Sequence, residues 1–262
     1  MCIDPPPLDN AQRLTASYSE DLGRRCRTVG GRVQAGRIDL APVPARLLID
    51  WHRETIELNP LQVGDVEPLP LARAMARWPG YRSCVNAALG WMGSFGGDAV
   101  QPDDELALMA CRGARYHHDA HRYAGSAFFN VFVCEDLGLD LHFPYLDHRI
   151  PLTRGTVVLF DTGQPHGVIR RDAVGFDPAG FDDGVDRLQC FLTWELSIER
   201  SGLAAALGVN FLAVEEPAEL VPDGTASDVG QPAGRLRLGP GTVEVCAESG
   251  RWQPTLPTLA PT

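Results

Sequence analysis

The chain contains no lysine: all 23 of its basic side chains are arginine. Schiff-base catalysis, covalently held pyridoxal phosphate and a P-loop all need a lysine amine, so these chemistries are excluded. Cys-x-x-Cys spacing is also missing. The seven cysteines, Cys2, Cys26, Cys84, Cys111, Cys134, Cys190 and Cys246, are scattered and odd in number. That pattern suits free thiols in a reducing cytoplasm better than a disulfide framework. No apolar run approaches the roughly 18 residues that a membrane-spanning helix requires. The start, Met-Cys-Ile-Asp-Pro-Pro-Pro, offers neither a basic n-region nor an apolar h-region, so a cytoplasmic location is expected. Positive charge is short, with 34 acids leaving a net charge of −11. A balance of that sign argues against a grip on nucleic acid or an anionic membrane. No nucleotide-binding glycine motif and no internal repeat is found.

What is there suits one large β domain with additions, or two small domains. The chain has 262 residues, of which 44% are hydrophobic, enough for a sizeable core. Residues 1 to about 30 read as a loosely held arm with room for a short helix near Asn10–Arg24. From Arg37 to Leu58 apolar residues recur at alternating positions, which favours extended structure. Helices are expected over Leu71–Trp78 and Tyr81–Met92, bounded by Pro79-Gly80 and Gly93. Strand-length apolar patterns follow at Glu105–Cys111, Ala127–Val133, Thr156–Phe160 and Leu188–Leu196. Several short strands separated by turn signals point to a sandwich or jelly roll. The stretch 172–186 is rich in Asp and Gly, and reads either as a solvated excursion or as a lid at a site mouth. Ile198–Leu207 reads as helical, and Arg235–Leu238 and Thr242–Cys246 as short strands. Pro254–Thr262 reads as disordered or draped on the surface.

The chemistry concentrates between Gly113 and Glu195. On a strand, residues i and i+2 share a side, so His117 and Asp119 can converge on one ion while His118 points away. A third ligand must come from another strand, and His166 follows the apolar strand Val157–Phe160 directly. Two imidazoles and one carboxylate make the ligand set of a non-haem Fe(II) oxygenase, with positions left open for substrates. One rival is a helical pair, His117 and His121 at i and i+4, as zinc enzymes use. The glutamate of His-Glu-x-x-His is missing from it. If Arg187 faces inward on its strand, Gln189, Phe191 and Thr193 share its side, and Phe128, Asn130 and Phe132 share one face of theirs. Asn130 and Gln189 are therefore candidates for co-substrate or substrate contact. Arg115 and Tyr116, beside the ligands, suit either substrate contact or scaffold.

These features occur in a definite order: Gly113, His117-His118-Asp119, Ala127–Val133, Pro151-Leu-Thr-Arg-Gly155, Phe160, His166, Arg187 and Trp194. In that order the span from about Leu106 to Leu196 resembles the 2-oxoglutarate/Fe(II)-dependent oxygenase superfamily, most nearly its prolyl-hydroxylase-like branch. Two departures stand out. The branch's Gly-Gly-x-Leu is reduced to Gly138-Leu-Asp-Leu141, and the interval from His166 to Arg187 is longer than the family pattern. The resemblance implies a mainly β fold, a double-stranded β-helix (jelly roll) with flanking helices. It implies Fe(II) held by His117, Asp119 and His166, with 2-oxoglutarate and dioxygen as co-substrates. Arg187 would anchor the distal carboxylate of 2-oxoglutarate, with Arg170 as its competitor. Residues 31–200 are then the oxygenase domain, and 201–262 a C-terminal helix and loop/strand extension packed on it. The expected activity is hydroxylation of a small molecule or amino acid. The alternatives are a peptidyl (prolyl-type) hydroxylase, a cupin-like metal enzyme that does not use 2-oxoglutarate, and a non-catalytic β-sandwich binding module.

Overall fold

A computed structural model describes residues 13–20, 23–96, 100, 104–213, 235–238 and 241–254. The first twelve residues of the expected arm and the tail beyond residue 254 lie outside the described residues. Leu14–Glu20 (β1) and Gly23–Thr28 (β2) pair as a hairpin, followed by Gln34–Arg37 (β3). Helix Ala45–Arg53 (α1) runs into a π-type turn over Glu54–Leu58. Next come Val66–Leu69 (β4) and the helices Leu71–Arg77 (α2) and Tyr81–Met92 (α3). The central region holds Leu106–Cys111 (β5), Ala114–His117 (β6), the single turn Ala120–Tyr123 (α4), Ser126–Phe132 (β7) and Leu139–Phe143 (β8). It continues with His148–Pro151 (β9), Thr156–Asp161 (β10), His166–Arg170 (β11) and Gln189–Ser197 (β12). Helix Ser201–Leu207 (α5) precedes Phe211–Leu212 (β13), Arg235–Leu238 (β14), Gly241–Val245 (β15) and Trp252–Pro254 (β16).

The strands form a large antiparallel sheet in the order β3-β10-β7-β12-β5-β4 and a small one in the order β6-β11-β8-β9. Strands β5 to β12 pass back and forth between these two sheets, which makes them a double-stranded β-helix with helices outside it. A third sheet, β13-β2-β1-β14-β15-β16, pairs the hairpin β1–β2 with strands β13 and β14 from the later part of the chain.

Both faces of the large sheet are buried, which is why its strands read as continuous apolar runs instead of alternating ones. In β7, β10 and β12, one set of residues packs into the core shared with the helices: Phe129 and Val131, Val157 and Leu159, Leu192 and Trp194. Trp91 of α3 stacks on Phe129 with ring centroids 5.4 Å apart. The alternate set, including Phe132, Val158, Phe160 and Phe191, fills the space between the two sheets. Gly155, at the turn into β10, has φ +84°, and a Cβ there would collide with the Ile38 carbonyl. Only glycine fits that approach.

Two expectations are corrected. The short helix near Asn10–Arg24 is replaced by the β1–β2 hairpin, because Leu14, Ala16 and Tyr18 alternate into a core with Val29, Ala124 and Leu236. The extended segment expected over Arg37–Leu58 is largely α1 and its π-type turn. Leu47 and Trp51, four residues apart, are buried there, while Ile49 and Ile56 are exposed. The i, i+4 spacing governs burial on a helix, and it overrides the apparent alternation.

Candidate metal centre and its cavity

The two candidate histidines are direct neighbours across the small sheet, His117 ending β6 opposite His166 at the start of β11. Their ring centroids are 4.4 Å apart. The ladder is irregular between His166 and Val168, and such bulges re-aim side chains beside functional sites. Asp119 lies beyond the strand expected to carry it and instead opens the turn α4. Its backbone N–H donates to the Thr162 carbonyl at 2.8 Å, and its own carbonyl accepts from Arg122 and Tyr123. This ties the carboxylate to the loop that delivers His166. His117 Nε2 is 3.7 Å from one Asp119 carboxylate oxygen, and His166 Nε2 is 3.5 Å from the other. Ligand atoms of all three residues fall within 4.8 Å of one another.

The tautomers follow from the second nitrogen of each ring. His117 Nδ1 is 2.7 Å from the Arg115 carbonyl, and His166 Nδ1 is 2.9 Å from the Gln164 carbonyl. A carbonyl only accepts, so each Nδ1 carries the hydrogen and each Nε2 presents a lone pair towards Asp119. Burial, and then the neighbouring His117, push the His166 imidazole down to about 4, against the opposing pull of Asp119 and the Gln164 carbonyl. His166 is therefore neutral at pH 7, as a metal ligand must be. The donor set fits a divalent transition metal with open positions. His118 is buried and stacks on His121 with centroids 4.5 Å apart, outside the cluster. The His117–His121 alternative is therefore not the arrangement found. His142 Nδ1 hydrogen-bonds the Tyr116 hydroxyl.

The cluster opens into a cavity of about 670 Å³ between the two sheets. Asn130 lines it with Oδ1 buried and unpartnered. Gln189 is fully buried opposite Cys111, and neither of its amide atoms has a partner. Arg187 is not brought to the cavity. It precedes β12, and both of its terminal nitrogens are held by Asp183, at 2.7 and 2.8 Å. Arg170 likewise turns outward, to Asp172 and Asp183. The cause is the 172–186 loop, whose aspartates draw both guanidinium groups away. This loop is no free excursion: Phe176 and Phe181 pack inward beside Tyr116 and Ile169, and Phe176 lies beneath Arg115 at 5.8 Å.

Among the described residues, Arg115 is the one arginine lining the cavity, with Nη1 2.6 Å from Asp65. Sequence reasoning left Arg115 undecided and missed Glu105, Tyr123 and Glu195, all of which line the cavity. Glu195 was within reach of the period-2 argument, which stopped two residues short at Thr193. No local signal marks Tyr123 or Glu105.

No family model and no curated protein sequence matches the chain. Among solved structures, a Pseudomonas putida prolyl-4-hydroxylase overlaps 63% of this chain and 92% of its own, at 15% identity and a TM-score of 0.37. EvdO2 from Micromonospora carbonacea var. aurantiaca overlaps 71% of this chain and 90% of its own, at 11% identity and a TM-score of 0.39. The Escherichia coli ribosomal oxygenase YcfD overlaps 87% of this chain and 55% of its own, at 12% identity and a TM-score of 0.25. These overlaps are too shallow to carry function, which is argued from the site's own geometry.

Proposed function

We propose that the chain is a non-haem Fe(II)/2-oxoglutarate-dependent oxygenase that hydroxylates a small molecule. The observation that carries this reading is the convergence of His117 Nε2, His166 Nε2 and the Asp119 carboxylate at the wall of an apolar cavity inside a double-stranded β-helix. When bound there, Fe(II) with 2-oxoglutarate and dioxygen supplies the oxidising chemistry, placing one oxygen atom in a substrate C–H bond and the other in succinate, with release of carbon dioxide. The protein's part is to hold, orient and keep dry. The carbonyls of Arg115 and Gln164 fix the two imidazoles in the liganding tautomer. Phe128, Phe132, Phe160 and Phe191 line the cavity and exclude water from the reacting groups.

The dicarboxylate needs a cation for its distal end, and a guanidinium suits it because it can bind bidentately. Arg115 takes this role in our reading, displacing Asp65; Gln189 is fully buried and does not line the cavity. Arg187 would serve only after releasing Asp183. A second reading, a metal enzyme that does not use 2-oxoglutarate, draws on one observation: the cavity's arginine is already paired with Asp65. Anaerobic iron reconstitution followed by assay of succinate separates the two. The expected result is succinate formed from 2-oxoglutarate only when iron is present. Arg115→Met should weaken 2-oxoglutarate binding by about 10-fold or more, the loss of a charged hydrogen-bonded pair, while Arg187→Ala leaves it unchanged. Iron binding without any response to 2-oxoglutarate would favour the second reading.

A further inference from the structure

The two ends of the cavity differ in their charged groups: one holds Arg115 together with Asp65 and Glu67, the other carboxylates alone. Asp65 and Val66 lie beside Cys111 at one end of β5, and Glu105 precedes the strand at the other. Six strand residues separate these ends, a distance of about 20 Å. The Cys111 end holds Arg115. At the far end Glu195 stands beside Glu105 and opposite Phe128, its backbone N–H donating to the Glu105 carbonyl at 3.0 Å. Ser126 Oγ donates to Glu195 Oε1 at 2.7 Å, fixing the carboxylate and leaving Oε2 for another donor. One row further in, Asn130 sits opposite Thr193, diagonal to Glu195 and within side-chain reach. Asn130 is only 6% exposed, and its Oδ1 has no hydrogen-bond partner although it borders the cavity.

Tyr123 completes this end, its ring on Phe128 with centroids 5.0 Å apart. Glu195 and Glu105 line the cavity together with this aromatic pair. Among the described residues, no arginine lines this end of the cavity; Arg122 and Arg200 border the adjoining surface depression, which Glu105 and Glu195 also reach, and Arg200 is bound there by Asp104 at 2.7 Å.

Adjacent carboxylates repel each other unless a cation lies between them. A buried acceptor without a partner is costly until a donor reaches it. An anion satisfies neither need, and a neutral alcohol satisfies only the second. A cation with N–H groups satisfies both, and it gains further on an aromatic face. We propose that the substrate of this site is an organic cation, an ammonium or guanidinium group on an apolar body. Its head is held by Glu195, Glu105 and Asn130 Oδ1, and its body lies along Tyr123 and Phe128 towards the metal ligands. Describing this ligand as the substrate rests on the oxygenase reading of the same site.

The test is direct binding, by calorimetry on the iron-loaded protein held anaerobically, using four probes of one shape. Phenethylammonium and phenethylguanidinium are the cations, phenethyl alcohol the neutral probe and 3-phenylpropionate the anion. At least one cation is expected to bind about 10-fold or more tightly than both uncharged and anionic probes, the usual size of a charge-assisted contact. Glu195→Gln should remove most of that preference, and so should Glu105→Gln, which is exposed and cannot upset the core. Equal affinity across the four probes, or a preference untouched in both variants, overturns the proposal. Iron uptake and succinate formation are scored separately. Their failure with the cation preference intact would sink the oxygenase reading and leave the cation site standing.

Discussion

At the scale of single residues, two buried imidazoles contribute to the acid response of the protein. Burial pushes His118 down to about 4, helped by the neighbouring His121, and His166 is likewise pushed down to about 4. An unfolded histidine titrates near 6.5. Between these values the unfolded chain binds more protons than the folded one, so stability rises with pH through that window. It is fully present above about pH 6.5 and is lost as pH falls towards 4. Two such groups together contribute on the order of a few kcal/mol, since each tenfold change in proton affinity is worth roughly 1.4 kcal/mol. Urea denaturation of the metal-free protein from pH 7 to pH 4 should show this decline, and His118→Phe should flatten part of it. A flat profile in the wild-type protein would show that neither ring is held neutral by burial.

At the scale of elements, the segment joining β10 to β11 delivers His166, and a fully buried ion pair holds it. Arg27 of β2 places two nitrogens on Asp161 at the end of β10, and its Nε donates to the Ala124 carbonyl at 2.8 Å. Asp161 also accepts from the backbone N–H groups of Gly30 and Gly163, at 2.6 and 2.8 Å. Each nitrogen of the guanidinium and each oxygen of the carboxylate is thereby hydrogen-bonded. Removing one partner strands a charge in the core, which typically costs about 3–5 kcal/mol, whereas replacing both with apolar groups is often near neutral. Arg27→Met should therefore destabilise strongly, and the double variant Arg27→Met/Asp161→Asn, which removes both charges but keeps an acceptor for the Gly30 and Gly163 N–H groups, should recover part of the loss. If iron affinity falls in the single variant even where it remains folded, the pair also positions the Asp161–His166 loop. A single variant as stable as wild type would refute the buried charge.

At the scale of the whole molecule, a metal held by His117, His166 and Asp119 would tie two strands of the small sheet to the α4 turn. Ligand that binds only the folded state stabilises it by about 2.7 kcal/mol when present at 100 times its Kd. For a domain of this size that corresponds to a rise in Tm of roughly 5–10 °C. Chelation should lower the Tm of the iron-loaded protein by that amount, and added Fe(II) should restore it. Asp119→Ala and His166→Ala should retain the fold but lose the response, since each removes one of three ligands. A full iron response in His166→Ala would exclude it from the centre.

Much of this architecture was legible from residue order alone. Continuous apolar runs such as Ala127–Val133 and Thr156–Phe160 located the large sheet, because a strand buried on both faces has no polar side to show. Tyr81–Met92 was bounded by glycine on both sides, and the helix occupies those residues. The three candidate ligands come together because pairing β6 with β11 places His117 opposite His166. Side-chain type and the order of the motifs singled them out, whereas strand period did not place Asp119, which lies beyond β6 at the head of α4. Other features depended on what the chain packs against. Residues 45–53 became a helix because the core received Leu47 and Trp51, not every second residue. Arg187 lay in a plausible register, but its charge went to Asp183 because ion pairs form with whichever carboxylate is near in space. The cavity's charges, Arg115 on β6 at one end and Glu105 and Glu195 by β5 and β12 at the other, come from segments distant in sequence that belong to two facing sheets. Sequence by itself determined which side chains this protein has that could ligate a metal. Only the tertiary structure decided which charges share a cavity with those side chains, because electrostatic interaction depends on separation in space and on burial.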